Sequence, residues 1–439
     1  MTSALSKPVR IGLLGCGNVG GALVQLLGTD ADAIADRTGV RLEVARVAVR
    51  STTRERPVEL PAGCLTHDAE AVVSDPAIDV VVEVIGGIEP ARGLVLQALK
   101  AGKPVVTANK ELLANVGAEL FETASAAGVD LLYEAAVAGG IPLIRPLRES
   151  LAGERINRVM GIVNGTTNYI LTRMTEDGAT YADALAEAQS LGYAERDPTA
   201  DVEGFDAAAK AAILASIAFG VKVVAGDVYR EGISAVTPAD IEFAARLGYV
   251  VKLLAIVESH DRLSGPGGGQ EVSVRVHPAM IPATHPLASV RDSFNAVFIE
   301  GHAVGELMLY GRGAGGMPTA SAVLGDLIDA AHNLRAGGSG RTATVGRAAI
   351  RPVDDLESQY YLNLDVVDRP GVLAAVAAVF GENGVSIRSM EQVGLGDEAR
   401  LVFITHTACE RDVQATLHGL RHLDVVDRVG SLLRVVGPE

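Results

Sequence analysis

Cysteine is scarce in this 439-residue chain: there are three, Cys16, Cys64 and Cys409, far apart and odd in number. They form neither a disulfide framework nor the paired spacing of a zinc site, which points to a reducing, cytoplasmic compartment. Positive charge is also in deficit, with 38 Lys and Arg against 54 Asp and Glu. The net charge of −16 argues against a nucleic-acid partner and otherwise reads as solubility. No uninterrupted apolar run reaches the roughly 18 residues of a membrane span. The opening segment MTSALSKPVRIGLLGCG has no long apolar stretch before its first glycine turn, so no signal peptide is expected. The length exceeds one small core and suggests two or three domains that need no disulfide or metal staples.

What is present is patterned. VRIGLLG (9–15), LEVARVAVR (42–50), DVVVEVIGG (79–87) and KPVVTANK (103–110) are apolar, β-rich runs. Continuous rather than alternating runs suit a parallel sheet covered on both faces. Helical patterns such as NVGGALVQLLG (18–28) and EPARGLVLQALKAG (89–102) fall between them, so the first 130 or so residues read as repeated βαβ units. From about Val137 the order changes to α+β, expected as one sheet with helices on one face. Its strands are RVMGIVNG (158–165), EVSVRVHPAMI (271–281) and NAVFIEG (295–301). Its helices are YADALAEAQSL (181–191), FDAAAKAAILASIAFG (205–220) and IEFAARLGYVVKLLAIV (241–257). SGPGGGQ (264–270) reads as a hairpin connection and PTASAVLGDLIDAAHNLR (318–335) as a helix returning to the first domain. A linker follows from AGGSGR (336–341), and a compact βαββ-like tail begins at YYLNLDVVD (360–368).

GCGNVG (15–20) has the spacing G-x-G-x-x-G, after a strand-like run and at the start of a helical one. That context suits a dinucleotide loop. Gly15 would permit the tight turn, Gly17 the approach of backbone to a pyrophosphate, and Gly20 close helix packing. The helix N-terminus would add unpaired N–H groups for the phosphates. A purely structural turn is the plainer alternative. The second strand ends VAVRST (47–52), where an NAD site usually carries an acid; Arg50 suits a 2′-phosphate and favours NADP, unless it is only a solvated strand end. TANKELL (107–113) puts Lys110 at another strand end, where open α/β sheets bind ligands.

In LGYAERDPTADVEGFDAAAK (191–210), Asp206 and Lys210 stand four apart and share a helix face. Most such pairs are solvated. Arranged around a substrate, the lysine would stay protonated, stabilise a developing alkoxide and donate the proton a carbonyl reduction needs. Glu195 and Asp201, in the preceding loop, suit a substrate amino group.

AQSLGYAERDPTADVEGFDAAAK (188–210) resembles the homoserine dehydrogenase signature at Gly192, Asp197, Pro198, Asp201, Gly204, Asp206 and Lys210. VNGTTNYIL (163–171) and EAAVAGGIPLI (134–144) also look like segments of that family, and the resemblance spans essentially the whole chain. It implies an α/β Rossmann-type nucleotide-binding domain over 1–136, completed by about 311–335. It further implies an α+β catalytic and dimerisation domain over 137–310, a linker over 336–355, and a ferredoxin-like ACT domain over 356–439. The implied reaction is reversible NAD(P)H-dependent reduction of L-aspartate 4-semialdehyde to L-homoserine, towards threonine, methionine and isoleucine.

By the same resemblance Lys210 is the acid–base lysine, Asp206 orients it, and Lys110 is a second active-site lysine near substrate and cofactor. Glu195 and Asp201 help bind the amino acid. Asn18, Val19, Ile85 and Thr107 join Gly15, Gly17, Gly20, Arg50 and Lys110 as cofactor contacts. Main-chain carbonyls of Glu134, Val137, Gly139 and Ile141 hold a monovalent cation, sodium in related enzymes; a turn with no ion is the alternative. GRGAGGMPTASAVLGDL (311–327) closes on the cofactor through Gly315 and Gly316, or is a plain helix start capped by Thr319 or Ser321. The tail, with its D-R-P-G turn, implies feedback by L-threonine; the alternative is a dimerisation module without ligand. A homodimer or homotetramer is expected.

Two other classes compete. A semialdehyde dehydrogenase working through a cysteine thioester needs an activated thiolate. Cys16 lies in the phosphate loop and Cys64 and Cys409 lie outside the catalytic region, which disfavours it. A non-catalytic amino acid sensor would leave the Asp206–Lys210 pair and the whole middle domain without a purpose.

Overall fold

The computed structural model describes residues 7–56, 58–260, 271–339, 346, 348–394 and 398–437. Six parallel strands make the first sheet: β1 (Val9–Leu14), β2 (Leu42–Ala48), β3 (Leu65–Thr66), β4 (Val80–Glu83), β5 (Val105–Thr107) and β6 (Leu131–Leu132). Their spatial order is β3-β2-β1-β4-β5-β6. Val80, Val81 and Val82 are all buried, as continuous apolar strands between two helical layers must be. Strand order reverses between β1 and β4, which leaves a crevice beyond their carboxyl ends. Helix Gly316–Ala336 returns to this Rossmann unit: Ala320, Val323, Leu327, Ala330 and Ala331 share a core with Ile11, Leu13 and Leu23.

The second sheet starts with β7 (Ile156–Ile162), β8 (Tyr229–Arg230), β9 (Tyr249–His260), β10 (Glu271–Pro282), β11 (Phe294–Gly301) and β12 (Gly305–Arg312). The tail adds β13 (Ala349–Ile350), β14 (Glu357–Val367), β15 (Ile387–Gly394), β16 (Glu398–Thr405), β17 (Ala408–Cys409) and β18 (Val426–Val435). The main path runs β12-β11-β7-β9-β10-β18-β14-β16-β15, so catalytic and tail units share one continuous sheet. The joint is β10 beside β18, parallel, with Ala279 opposite Arg434 and Met280 opposite Val435. Tyr361, Leu433 and Val435 of the tail lie in the same apolar core as Val274 and Val276 of β10.

Three expectations need correction. Residues 241–257 are not one helix. Helix Pro238–Arg246 stops before Gly248, at φ 80°, and Tyr249 onward is the long strand β9. A continuous apolar run does not separate a buried strand from a buried helix; the β-branched and aromatic residues after Gly248 do. The tail is βαββαβ, with helices Val372–Glu382 and Glu410–Leu420, not the shorter βαββ. The stretch 336–355 carries β13, paired with the start of β10. The hairpin connection at 264–270 lies outside the described residues.

Because β18 covers β10 at Ala279 and Met280, and Tyr361, Leu433 and Val435 pack on the same core, cutting the chain before Glu357 should uncover an apolar core face and the end of that edge, a template for aggregation. The truncated chain is expected in the insoluble fraction or the void volume of a sizing column. A dispersed truncate with the parent's melting temperature would contradict the shared-sheet account.

Candidate active site

Helix Phe205–Phe219 starts after Gly204, carries Asp206 in its first turn and Lys210 one turn later, and both side chains are buried. Lys210 Nζ donates to Asp206 Oδ2 at 2.7 Å and to the Val163 carbonyl, just past β7, at 2.6 Å. Lys110, first residue of helix Lys110–Ala127 in the nucleotide unit, pairs with the other oxygen of Asp206. One carboxylate thus holds two ammoniums from two domains. Lys110 remains 44 % exposed against 10 % for Lys210, so the first faces the open side of the site.

Asn164 completes the cluster and was not singled out in the sequence. Its Oδ1 accepts the Thr167 N–H at 2.9 Å, capping helix Gly165–Glu176. Its Nδ2 donates to Asp201 Oδ1 at 2.7 Å and to Asp206 Oδ2 at 2.9 Å. The available signal was an asparagine before a glycine and two threonines, a helix-start pattern. Glu195, in contrast, is exposed, and among the described residues no side-chain bond ties it to the lysines; its carbonyl accepts from Gln189 at 3.0 Å. Asp197 closes a local turn on the Thr199 N–H at 3.2 Å, in solvent.

The electrostatics follow from burial and these pairs. Burial alone would raise Asp206, but Lys210 and Lys110 together hold it far below the carboxylate range. Burial lowers Lys210, Asp206 opposes this, and the charge of Lys110 lowers it again, leaving it below an ordinary lysine. For Lys110 the effect of burial is outweighed by Asp206, and the net shift is upward. Asp201 is raised by burial, against the Asn164 hydrogen bond and with the help of the Asp206 charge. Two ammoniums on one carboxylate are thus shifted in opposite directions.

The crevice beyond β1, β2 and β4 is an open cleft of about 1010 Å³, lined by Gly15, Gly17, Asn18, Arg50, Ile85 and Gly316, among others. A Cβ on Gly20 would lie 2.3 Å from the Gly15 carbonyl oxygen, so the helix packs this closely on the loop only with glycine there. Val19 turns partly into the domain core. Thr107 is buried and does not line the cleft; its hydroxyl donates to Glu83 Oε2 at 2.6 Å. Glu83 Oε1 accepts the N–H groups of Ile85 and Gly86 at 2.9 and 3.2 Å, which fixes the loop after β4. Ser51, Arg54 and Arg56 also line the Arg50 end, a basic cluster of which only Arg50 was read from the sequence. Helix Gly316–Ala336 is capped by Gly315 with no side-chain bond, so neither Thr319 nor Ser321 plays that part.

The loop carrying Glu134, Val137, Gly139 and Ile141 is buried and tightly fastened. The Glu134 carboxylate accepts backbone N–H groups of Leu143, Ile144 (2.8 Å) and Arg145 (2.8 Å), and its own N–H donates to Asp326 at 2.7 Å. Asp326 is pushed up to about 7 by burial. Ala138 and Gly139 hold positive φ, 58° and 53°, which folds the main chain back on itself.

A glycine-rich loop over an open cleft, in a unit whose Lys110 reaches a buried aspartate–lysine pair of the next, fits a nicotinamide-dependent oxidoreductase. Comparison narrows the class. Residues 142–328 match the family model for homoserine dehydrogenase, 15–134 that for homoserine dehydrogenase, NAD binding domain, and 360–417 that for the ACT domain. Homoserine dehydrogenase from Mycobacterium tuberculosis is 52% identical over 438 residues, 98% of each chain. The crystal structure of a homoserine dehydrogenase from Thiobacillus denitrificans superimposes with a TM-score of 0.90 at 43% identity, covering 98% of both chains. A hyperthermophilic archaeal homoserine dehydrogenase in complex with NADPH, 31% identical with a TM-score of 0.60, covers 74% of this chain and 98% of its own. The chain belongs to the homoserine dehydrogenase family.

Replacing Asp206 by Asn should leave two ammoniums facing each other and destabilise the fold by about 3–5 kcal/mol at neutral pH. Because the folded pKa of Asp206 is depressed, its contribution is complete above the unfolded carboxylate value and is lost as pH falls through the folded one. The gap between parent and Asp206→Asn should therefore narrow only below about pH 4. Urea denaturation over a pH series measures it; a gap independent of pH would contradict the charge account.

Proposed function

We propose that this chain catalyses the reversible NADPH-dependent reduction of L-aspartate 4-semialdehyde to L-homoserine, in the route to threonine, methionine and isoleucine. The observation that carries the reading is the single buried carboxylate, Asp206, shared by Lys210 and Lys110. A bound nicotinamide supplies or accepts the hydride. In the reductive direction Lys210 gives its proton to the aldehyde oxygen and is left neutral; in the oxidative direction neutral Lys210 takes the proton from the hydroxyl. Its lowered pKa eases release of the proton to the aldehyde oxygen. Lys110, kept charged, stabilises the negative oxygen. Asp206 fixes both lysines, and Asp201, with Glu195 from the exposed loop, receives the substrate ammonium.

The glycine loop, Asn18, Ile85, Gly315 and Gly316 would hold the dinucleotide, with Val19 and Thr107 supporting from behind. Arg50, joined by Arg54 and Arg56, suits a 2′-phosphate and favours NADP. A monovalent cation, sodium in this reading, fits the main-chain oxygens of Glu134, Val137, Gly139 and Ile141. The Glu134 carboxylate is taken up by backbone N–H groups, which leaves carbonyls, donors suited to a hard cation. A thioester route is disfavoured because burial raises the Cys16 thiol, the reverse of what a nucleophile needs. The assembly is a homodimer or homotetramer, with L-threonine as effector at the Asp368–Gly371 turn that opens helix Val372–Glu382. Among the described residues no helix is long and apolar enough to cross a membrane.

Homoserine oxidation followed by nicotinamide absorbance, with NADP and with NAD, tests reaction and cofactor together. Turnover is expected with a preference for NADP, and Lys210→Met should lose about 10²- to 10⁴-fold in kcat while still binding cofactor. Absence of turnover, or an unimpaired Lys210→Met, would refute the reading.

L-Threonine should inhibit the parent, and Asp368→Ala should relieve the inhibition without altering basal turnover. Inhibition curves measure this, and a parent indifferent to threonine would leave the tail without its effector.

A further inference from the structure

The joint between tail and catalytic unit contains a buried ionic cluster outside the chemistry described above. Arg434 of β18 is 2 % exposed and grips Glu410 in bidentate fashion, Nε to Oε2 at 2.8 Å and Nη2 to Oε1 at 2.7 Å. Tyr360 of β14 donates to the same carboxylate at 2.9 Å. All three belong to the tail. The same Nη2 crosses the joint to Glu231 Oε1 at 2.9 Å and to the Tyr229 hydroxyl at 3.2 Å.

What Glu231 belongs to gives the cluster its interest. The segment 229–233 lies directly on the turn that launches the helix of Asp206 and Lys210. The Ile233 N–H donates to the Val202 carbonyl at 2.8 Å. A Cβ on Gly232 would be 2.4 Å from that same oxygen, so the two backbones are in closest contact. The Arg230 guanidinium sits 3.5 Å over the ring of Phe205, the first residue of the helix. On its other side the Glu231 N–H is held by the Val276 carbonyl of β10 at 2.8 Å. Segment 229–233 is therefore pinned by the tail through the Glu231 carboxylate and the Tyr229 hydroxyl, and it seats residues 202–205, flanked by Asp201 and Asp206.

We propose that Arg434 and Glu231 are positioning residues for the reaction: their ion pair sets the seat of the 202–205 turn, and through it the contacts of Asp206 with Lys210 and Lys110. The inference rests on the acid–base role proposed for Lys210. The charged groups facing Lys210 are Asp206 on its own helix, Lys110 from helix Lys110–Ala127 and Asp201 from the turn before, with the neutral Asn164 amide between the acids. If the turn shifts, Asp206 recedes from Lys210 while burial and Lys110 remain. The lysine proton is then lost at lower pH.

Arg434→Met leaves Glu410 buried without its partner and is open to misfolding, so Glu231→Gln in the full chain is the decisive variant. It weakens the link across the joint and keeps the Arg434–Glu410 pair. Expected are a fall in kcat for homoserine oxidation of about 3- to 30-fold with an unchanged KM for the cofactor, and movement of the acid limb of the kcat profile to lower pH. Glu231→Asp should recover part of both. Asp365→Asn, which breaks an ion pair at 2.7 Å between the tail's own strands, should change neither. A parent without homoserine turnover overturns the underlying reading and this inference with it. An active parent matched by Glu231→Gln in kcat and pH profile overturns the inference alone, as does a variant that only melts earlier.

Discussion

One buried carboxylate, Asp206, holds two ammoniums. Burying an ammonium is unfavourable unless a counter-charge accompanies it, and Lys210 is among the most enclosed lysines of the chain. Asp206 makes that burial tolerable, and because its second oxygen takes Lys110, it also fixes the distance between the nucleotide unit and the middle domain. The two lysines then diverge. The enclosed one is pushed below its ordinary value, the half-exposed one above it, although they share the same partner. The difference lies in solvation and mutual repulsion, not in the identity of the groups.

Other buried acids do quieter work by the same logic. Glu83 ties the loop after β4, Glu134 ties the chain from Leu143 to Arg145, and Asp240 accepts from Thr237, Asn363, Tyr361 and Ser431, drawing the tail onto helix Pro238–Arg246. Each carboxylate gathers backbone or side-chain donors that would otherwise be buried unpaired. Irregular segments thus become fixed walls, and fixed walls are what a cleft needs if it is to orient a flexible dinucleotide.

Much of this was legible in the sequence because it is local. Gly15, Gly17 and Gly20 announce a turn by spacing, and Asp206 and Lys210 announce a pair by standing one helical turn apart. What is not local was not legible. Nothing in the order of residues says that Lys110 comes to the far oxygen of Asp206, or that the Asn164 amide lies between two acids. The run 241–257 looked helical throughout because burial on both faces erases the period that separates strand from helix. Glu195 shows the reverse limit: the family resemblance implies a substrate contact, while the fold leaves its side chain in solvent. Pairing between distant strands, as of β18 with β10, depends on the completed sheet and has no short-range sign.

The joint with the tail raises a question of specificity. Two apolar strands could meet there with no charges at all, and such a core would often be as stable or more so. Yet Arg434 and Glu410 are each 2 % exposed, with Glu231 reaching in from the other unit. The β10–β18 ladder is short, two residue pairs in all, and parallel, so its hydrogen bonds specify register weakly. An ion pair aimed across that ladder specifies it strongly, since a slip by one residue would turn a buried guanidinium away from Glu231 and strand that acid. In this chain the tail has become part of the catalytic sheet, and the charges at the joint determine where it sits on the segment that supports Asp206.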